Sequence, residues 1–370
     1  MRPRLTPNGR PKAEPDPGAL KKILLIRLRR IGDVIMTAPA VDLLKTHLPG
    51  ASLIYLVEEP YRRLVEGIPH LDRVIVIEKK QRFSDFVKLI LRVRRERFDA
   101  LLDFHGGPRA SWITFFSRAR LKIGYGIKHK GFLYDVRVPR GRAGHEGGFV
   151  HSVENHANLV RALGITFEDS AIPPLSLPSP TKEEAGRVNK ILEDRGALRS
   201  KNIVLHIGAG NEFRDWGPKN IAALVRQLAQ LPGIKVVLIG SASEDDKRAE
   251  AKILRTVATA GVEVSQKIIS LVGQLNLMEM KELIARAALF VGPDSGPMHI
   301  AASTATPIVA YFGPTLPAHF APWKANAVII EKDMDCRPCK QRRCVTADFR
   351  CLQTITPEEV LAACRPFLSP

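Results

Sequence analysis

At 370 residues, with 45% hydrophobic and 25% charged residues, the chain has the composition of a soluble globular protein and the length of two ordinary domains. No apolar run approaches the roughly 20 residues needed to span a bilayer, which argues against a membrane-crossing helix. The formal net charge of +18 predicts attraction to polyanions: phosphorylated substrates, an anionic membrane face or nucleic acid.

Residues 1–20 are rich in Pro, Gly and charge and lack the apolar core of a signal peptide, so a disordered basic tail and a cytoplasmic protein are expected. From residue 21 onward, apolar β-branched runs bounded by turn residues alternate with helical periodicity. Strands are predicted over 22–28, 52–57, 73–77, 98–104 and 122–125, with helices over 34–47, 84–97 and 155–163. The stretch IPPLSLPSP at 172–180 reads as a linker. Beyond it, strands are predicted over 202–207, 235–239, 268–271, 288–291, 307–312 and 327–330. Helices follow over 220–229, 244–260 and 278–287, and a last helix over 357–363 is free to cross back onto the first domain. This alternation predicts α/β domains with parallel sheets covered on both faces. The expected division is a tail (1–20), an N-terminal Rossmann-like domain (21–171), the linker (172–180), a C-terminal Rossmann-like domain (181–355) and a closing helix (356–370). Two such domains facing each other leave a cleft for ligands.

The turns after the strands carry the candidate chemistry. After the first strand, RRIGDV places Gly32 in a tight turn and Asp33 at the strand's carboxyl end. A carboxylate there can act as general base on a hydroxyl, or cap the following helix. No G-x-G-x-x-G follows, so the dinucleotide fingerprint is absent. Residues 79–98 form a basic amphipathic pattern in which Phe83, Phe86, Val87, Ile90 and Val93 share a face. Packing against the first sheet is its expected role, with a membrane-surface role as the alternative. The loop HIGAGNEFRDWGPKN at 206–220 has Gly208 and Gly210 where backbone can approach phosphates, and Arg214 offers a bidentate cation. In IGSASEDD, at 239–246, Glu244 or Ser241 can meet ribose hydroxyls or cap the helix. The stretch VGPDSGPMHIAAS at 291–303 is the most informative. It reads as a strand, a turn of Asp294, Ser295 and Gly296, and a helix opening at Pro297 with His299 one turn in. Such a helix start favours an anion; the plain alternative is Asp294 or Ser295 as N-cap. Finally, Cys336, Cys339, Cys344 and Cys351 have a spacing that can close a tetrahedral zinc site, an iron–sulfur cluster fitting less well. Reduced thiols or a redox-labile pair are the alternative.

RRIGDV, HIGAG with its following Trp216, LIGSASE and GPDSGPMHIAA stand in the order and spacing of glycosyltransferase family 9, and the chain resembles that family from about residue 21 to 366. The resemblance implies a GT-B fold and an inverting transfer of heptose from ADP-heptose to the lipopolysaccharide inner core, with no required metal or other cofactor. It implies Asp33 as catalytic base. It implies Arg214, Glu244, Asp294, Ser295, Gly296 and His299 as donor-binding residues, with Arg214 standing where many relatives have lysine. The basic residues Arg62, Arg63 and Lys128 of the first domain would then meet an acceptor rich in carboxylates and phosphates. The protein would work peripherally at the inner face of the cytoplasmic membrane, with that anionic surface as a partner. Two other readings stay open: a GT-B transferase for another nucleotide sugar, and a basic nucleic-acid-binding protein. Nucleic acid is not expected as a partner, because aromatics make up only 6% and no base-stacking module is visible.

Overall fold

The computed structural model describes residues 16–80, 82–126, 131–140 and 150–368. The chain divides into two compact units, with the boundary between Pro178 and Ser179. Residues 1–15 of the expected tail, and Lys128, lie outside the described residues.

The first unit is built on a six-stranded sheet in the order β3-β2-β1-β4-β5-β6. Its strands are β1 (Lys22–Ile26), β2 (Ser52–Glu58), β3 (Arg73–Ile77), β4 (Ala100–Asp103), β5 (Leu121–Tyr125) and β6 (Val136–Val138). Every pairing is parallel, with Leu24 of β1 opposite Ile54 on one side and Leu101 on the other. Because β1 is central, both of its faces are covered; Ile23 through Ile26 have no exposed surface. That is why KILLI is apolar without alternation. The helices are α1 (Ile31–Ile35), α2 (Ala38–His47), α3 (Phe83–Arg95), α4 (Pro108–Phe116) and α5 (Ser152–Arg161). The helix predicted over 34–47 is broken between α1 and α2, where Pro39, lacking an N–H, sits in the first turn of a new helix. The sequence reading contains neither α4 nor β6. PRASWITFF is apolar all round and shows no helical stripe, and VRV is only three residues long. In α3, Leu89 and Val93, with Phe86 and Ile90 beside them, pack on the sheet, whereas Phe83 and Val87 point outward. The single apolar face expected for this helix is therefore two faces.

The second unit repeats the plan, with sheet order β12-β11-β10-β7-β8-β9. Its strands are β7 (Lys201–His206), β8 (Ile234–Ile239), β9 (Ile268–Ser270), β10 (Leu289–Pro293), β11 (Ile308–Phe312) and β12 (Ala327–Glu331), again all parallel. Its helices are α6 (Lys182–Asp194), α7 (Pro218–Ala229), α8 (Glu244–Ala258), α9 (Val262–Gln266), α10 (Leu277–Ala285), α11 (Gly296–Ala301), α12 (Pro317–Phe320), α13 (Arg350–Gln353) and α14 (Pro357–Leu368). The reading missed α6, which opens with a capping box of Thr181 and Glu184. The last helix, α14, which the sequence left free to cross back, buries Val360 and Cys364 in the core of the second unit with Leu224, Leu228 and Tyr311. No helix of the described residues is long and apolar enough to cross a membrane.

In each unit the strand order reverses beside the first strand of the sheet, between β1 and β4 in one and between β7 and β10 in the other. Connections on the two sides of such a point leave to opposite faces, so a crevice opens beyond the carboxyl ends of the strands.

Candidate active site

At the reversal point of the first unit, Arg27 follows directly on β1 and is 8% exposed. Its Nη1 donates to the Phe104 carbonyl just past β4, and its Nη2 pairs with Asp33 Oδ2 at 2.5 Å. Asp33 lies inside α1 and does not cap it. The N-cap position is Arg30, and no side chain there makes a capping bond. The tight turn expected at Gly32 falls instead at Arg30, with φ 70°, and Gly32 lies inside α1; a residue other than glycine in this region costs about 1–3 kcal/mol. The Asp33 side chain is 28% exposed, and its Oδ1 has no partner among the described residues.

Behind this pair lies a polar cluster that no local motif announces. Asp103, at the end of β4, is fully buried and accepts from the backbone N–H groups of His105 and Gly106 at 2.8 Å and from the Tyr134 hydroxyl at 2.7 Å. Burial raises its pKa, and these donors together with Arg27 oppose the rise. The Tyr125 hydroxyl lies 2.6 Å from His156 Nδ1, and the Arg140 guanidinium stands over the Tyr125 ring at 4.4 Å. Burial, then Arg27 and Arg140, holds His156 well below the usual imidazole range, so it is neutral at pH 7. Arg62 and Arg63 belong to a 3-10 turn, Glu59–Leu64, that packs on α1. Arg62 grips Glu66 through two bonds of 2.9 and 2.7 Å, from its Nε and Nη2.

At the reversal point of the second unit, β7 ends at His206 and β10 at Pro293. Ser295 stands at the N-cap of α11 without making a capping bond; its hydroxyl lies 3.1 Å from His206 Nδ1 instead. Asp294 turns the other way. Its Oδ2 accepts from the Thr315 hydroxyl at 2.6 Å and pairs with Arg214 Nη1 at 3.2 Å. Ser295 therefore does not cap the helix: the first turn of α11, beginning at Gly296, has no capping bond from its N-cap side chain and has a guanidinium close by. His299 is buried in the same short helix. Burial of His206 lowers its pKa to about 4, against the opposing charge of Asp246, so its imidazole is also neutral at pH 7.

Arg214 is held from behind. Its Nε donates to Gln341 Oε1 at 3.0 Å, and the same oxygen accepts from Asn211 Nδ2 at 2.7 Å. Trp216 anchors the loop: it is 1% exposed, donates to the Ile355 carbonyl at 2.8 Å and packs on Tyr311. Gly208 is needed for close approach, since a Cβ there would meet Asp246 Oδ1 at 2.4 Å. The structure therefore brings Arg214, Asp294, Ser295, Gly296 and His299 to one strand end. Glu244 stands apart in the first turn of α8, its side chain 78% exposed and 3.1 Å from Lys247. The buried carboxylate at that strand end is Asp246, which accepts from the Ser241 backbone at 2.6 Å and from the Ser241 hydroxyl at 2.7 Å. Glu244 is accessible, as is its neighbour Asp245.

The structure gives no support to a zinc site at the four cysteines. Among the described residues, no group of three or more His, Cys, Asp or Glu side chains is arranged to hold a metal ion. Cys344 Sγ faces the Thr346 hydroxyl at 3.4 Å, and Cys339 Sγ accepts from the Gln341 N–H at 3.3 Å. The segment packs as a brace. Besides Gln341 on Arg214, Phe349 meets the edge of Phe213, and Arg337 donates to the Thr315 carbonyl at 2.7 Å.

The sequence model of "Glycosyltransferase family 9 (heptosyltransferase)" matches residues 86–349. Lipopolysaccharide heptosyltransferase 3 of Escherichia coli is 24% identical over 306 residues, which are 81% of this chain and 86% of that protein. Among solved structures, a family 9 glycosyl transferase from Veillonella parvula superposes with a TM-score of 0.78 at 23% identity, covering 96% of this chain and 99% of that one. The E. coli ADP-heptose lps heptosyltransferase II superposes with a TM-score of 0.73 at 24% identity, covering 94% and 98%.

Proposed function

The chain belongs to glycosyltransferase family 9, and on that basis we propose that it transfers heptose from ADP-heptose to the lipopolysaccharide inner core, with inversion at the anomeric carbon. It is a glycosyltransferase of GT-B architecture. The observation that carries the donor assignment is the uncapped start of α11 with Arg214 beside it: Asp294 and Ser295 spend their side chains on Arg214, Thr315 and His206. Backbone N–H groups and a fixed guanidinium at one point suit a diphosphate. Glu244, open to solvent at the neighbouring strand end, is a carboxylate available to ribose hydroxyls. The names of the E. coli relatives, which specify lipopolysaccharide and ADP-heptose, supply the substrate class.

In the proposed reaction, Asp33 takes the proton from an acceptor hydroxyl through the carboxylate oxygen that Arg27 does not occupy. The hydroxyl oxygen attacks the anomeric carbon of the heptose on the face opposite the nucleotide. The bond from that carbon to the phosphate oxygen breaks, and ADP leaves with the added negative charge. Arg214 and the first turn of α11 meet that charge, the role a divalent cation plays in other transferases. Arg62, Arg63 and Lys128 serve the acceptor, and the protein works at the anionic inner face of the cytoplasmic membrane.

The test is incubation of the purified protein with ADP-heptose and a panel of truncated lipopolysaccharides, with the product identified by mass. The expected result is addition of one heptose to one acceptor, undiminished in EDTA. Transfer only from a different nucleotide sugar would overturn the donor. Activity lost in chelator and restored by Mg²⁺ or Mn²⁺ would overturn the metal-free leaving-group assignment.

A further inference from the structure

We infer that the outer face formed by α3, α4 and the 3-10 turn Gly131–Leu133 is the surface by which this protein lies on an anionic lipid bilayer. In a globular protein the outward side of a surface helix is polar, and large exposed apolar patches mark contact sites. Here Phe83 is 81% exposed, Phe132 75% and Trp112 56%. They are not scattered. Trp112 stacks on Phe116 with centroids 5.7 Å apart, Phe115 meets the edge of Phe116 at 4.9 Å, and Phe132 adjoins Phe115 at 6.2 Å. On α3, which packs beside α4, Phe83, Val87 and Leu91 recur every four residues along the exposed side. The result is an aromatic cluster on α4 and the 3-10 turn, beside an exposed apolar row on the neighbouring α3.

The charge around this surface says what covers it. Residues 79–97 carry eight Lys and Arg against two acidic residues. Both acids are already paired, Asp85 with Lys88, and Glu96 with Lys22 and Arg73. The face has two grooves of the same design. In one, Phe83 and Phe86 sit among Lys79, Lys80, Arg82 and Arg109; in the other, Leu91 sits among Arg94, Arg118 and Arg120. Aromatic rings rimmed by cations fit the boundary layer of a bilayer, where rings enter at headgroup depth and cations meet lipid phosphates. A second copy of the chain is a poor occupant, because mating two such faces sets like charges against each other. The inference rests on these residues and not on which sugar is transferred.

The experiment uses the full chain and extruded vesicles of phosphatidylcholine alone or with about one quarter phosphatidylglycerol, with bound protein measured by sedimentation. The expected result is binding at least about tenfold tighter to the anionic vesicles, weakened by 0.5 M salt (a screening length of roughly 4 Å). Trp112 fluorescence should shift to the blue and be quenched by brominated lipid. A Phe83→Ser, Trp112→Ser, Phe132→Ser triple variant and a Lys79→Gln, Lys80→Gln, Arg82→Gln triple variant should each lose about tenfold or more in binding. Both should keep the wild-type melting temperature and the wild-type rate of transfer to a water-soluble truncated acceptor. Wild-type vesicle binding by both variants would overturn the inference, as would equal binding to neutral and anionic vesicles. A concentration-dependent dimer abolished by the aromatic variant would assign the face to a second copy, and preferred binding of an RNA oligonucleotide over vesicles would assign it to nucleic acid. Transfer to the soluble acceptor is read separately, so failure here leaves the transferase assignment standing, and failure there leaves this one.

Discussion

Asp33 commits one carboxylate oxygen to Arg27 and keeps the other for solvent, so its orientation is set before any substrate arrives. An asparagine there can still accept from Arg27 but cannot take a proton. Asp33→Asn should therefore lower turnover by about 10²–10⁴-fold, the usual contribution of a general base, with ADP affinity and urea unfolding close to wild type. Wild-type turnover of the variant under single-turnover conditions would remove Asp33 from the chemistry. His206 makes a prediction of another kind. Its imidazole stays neutral in the folded protein down to about pH 4, whereas in the unfolded chain it protonates near 6.5. Between those values the unfolded state binds more protons, so stability rises with pH. The contribution is complete above pH 6.5 and is lost as pH falls toward 4, by about 3 kcal/mol for this group alone. His156, buried and shifted the same way, acts in the same direction. His206→Gln should flatten the rise in urea midpoint between pH 4.5 and 7; an unchanged slope would mean that the buried imidazole is not what titrates.

The segment from Cys336 to Cys351 is the element that positions Arg214, through the single oxygen of Gln341 shared by Arg214 and Asn211. Removing that oxygen frees the guanidinium on one side while Asp294 still holds the other. Gln341→Ala should therefore weaken ADP binding about tenfold and leave the acceptor KM unchanged, and Gln341→Asn should lie between. If calorimetry finds ADP affinity intact in Gln341→Ala but reduced in Arg214→Ala, the brace has no part in binding. This contact also marks where sequence reading ends. Strands buried on both faces, such as KILLI and IVAYF, announce themselves, and so does the Asp-Ser-Gly turn, because its spacing is local; the Gly-Asp pair marks the right place, but the turn itself falls at Arg30. Gln341 lies 127 residues from Arg214, and Thr315 is 21 from Asp294; only the sheet order brings them together. Arg27 was visible only as charge, because its role needs the end of β4 beside the end of β1. α4 was invisible for the opposite reason: with apolar residues on every side, PRASWITFF offers no period to detect.

At the scale of the whole molecule, each unit offers one reversal point, and the two points carry different chemistry. The first holds a carboxylate paired with a buried arginine, with cations on the packed elements around it; the second holds an uncapped helix start, a fixed guanidinium and the neutral buried imidazole of His206. A group transfer needs two substrates, and the proposed function puts the acceptor on the first unit and the nucleotide on the second. The assignment is testable by variants that separate the two. Arg214→Ala should weaken ADP binding by roughly 1.5–3 kcal/mol, the value of a hydrogen bond to a charged group. Arg62→Ala and Arg63→Ala should leave ADP affinity unchanged and raise the acceptor KM, more so at low salt, where exposed charges reach farther. The Arg62 variant also frees Glu66 from its pair, and that uncompensated carboxylate repels the same acceptor, which adds to the rise in KM. Titrating ADP into each variant by calorimetry, and measuring acceptor KM at two salt concentrations, decides the matter. Equal loss of ADP affinity from both groups would put the nucleotide in the wrong unit, and with it the roles of Arg214, Asp294 and Ser295.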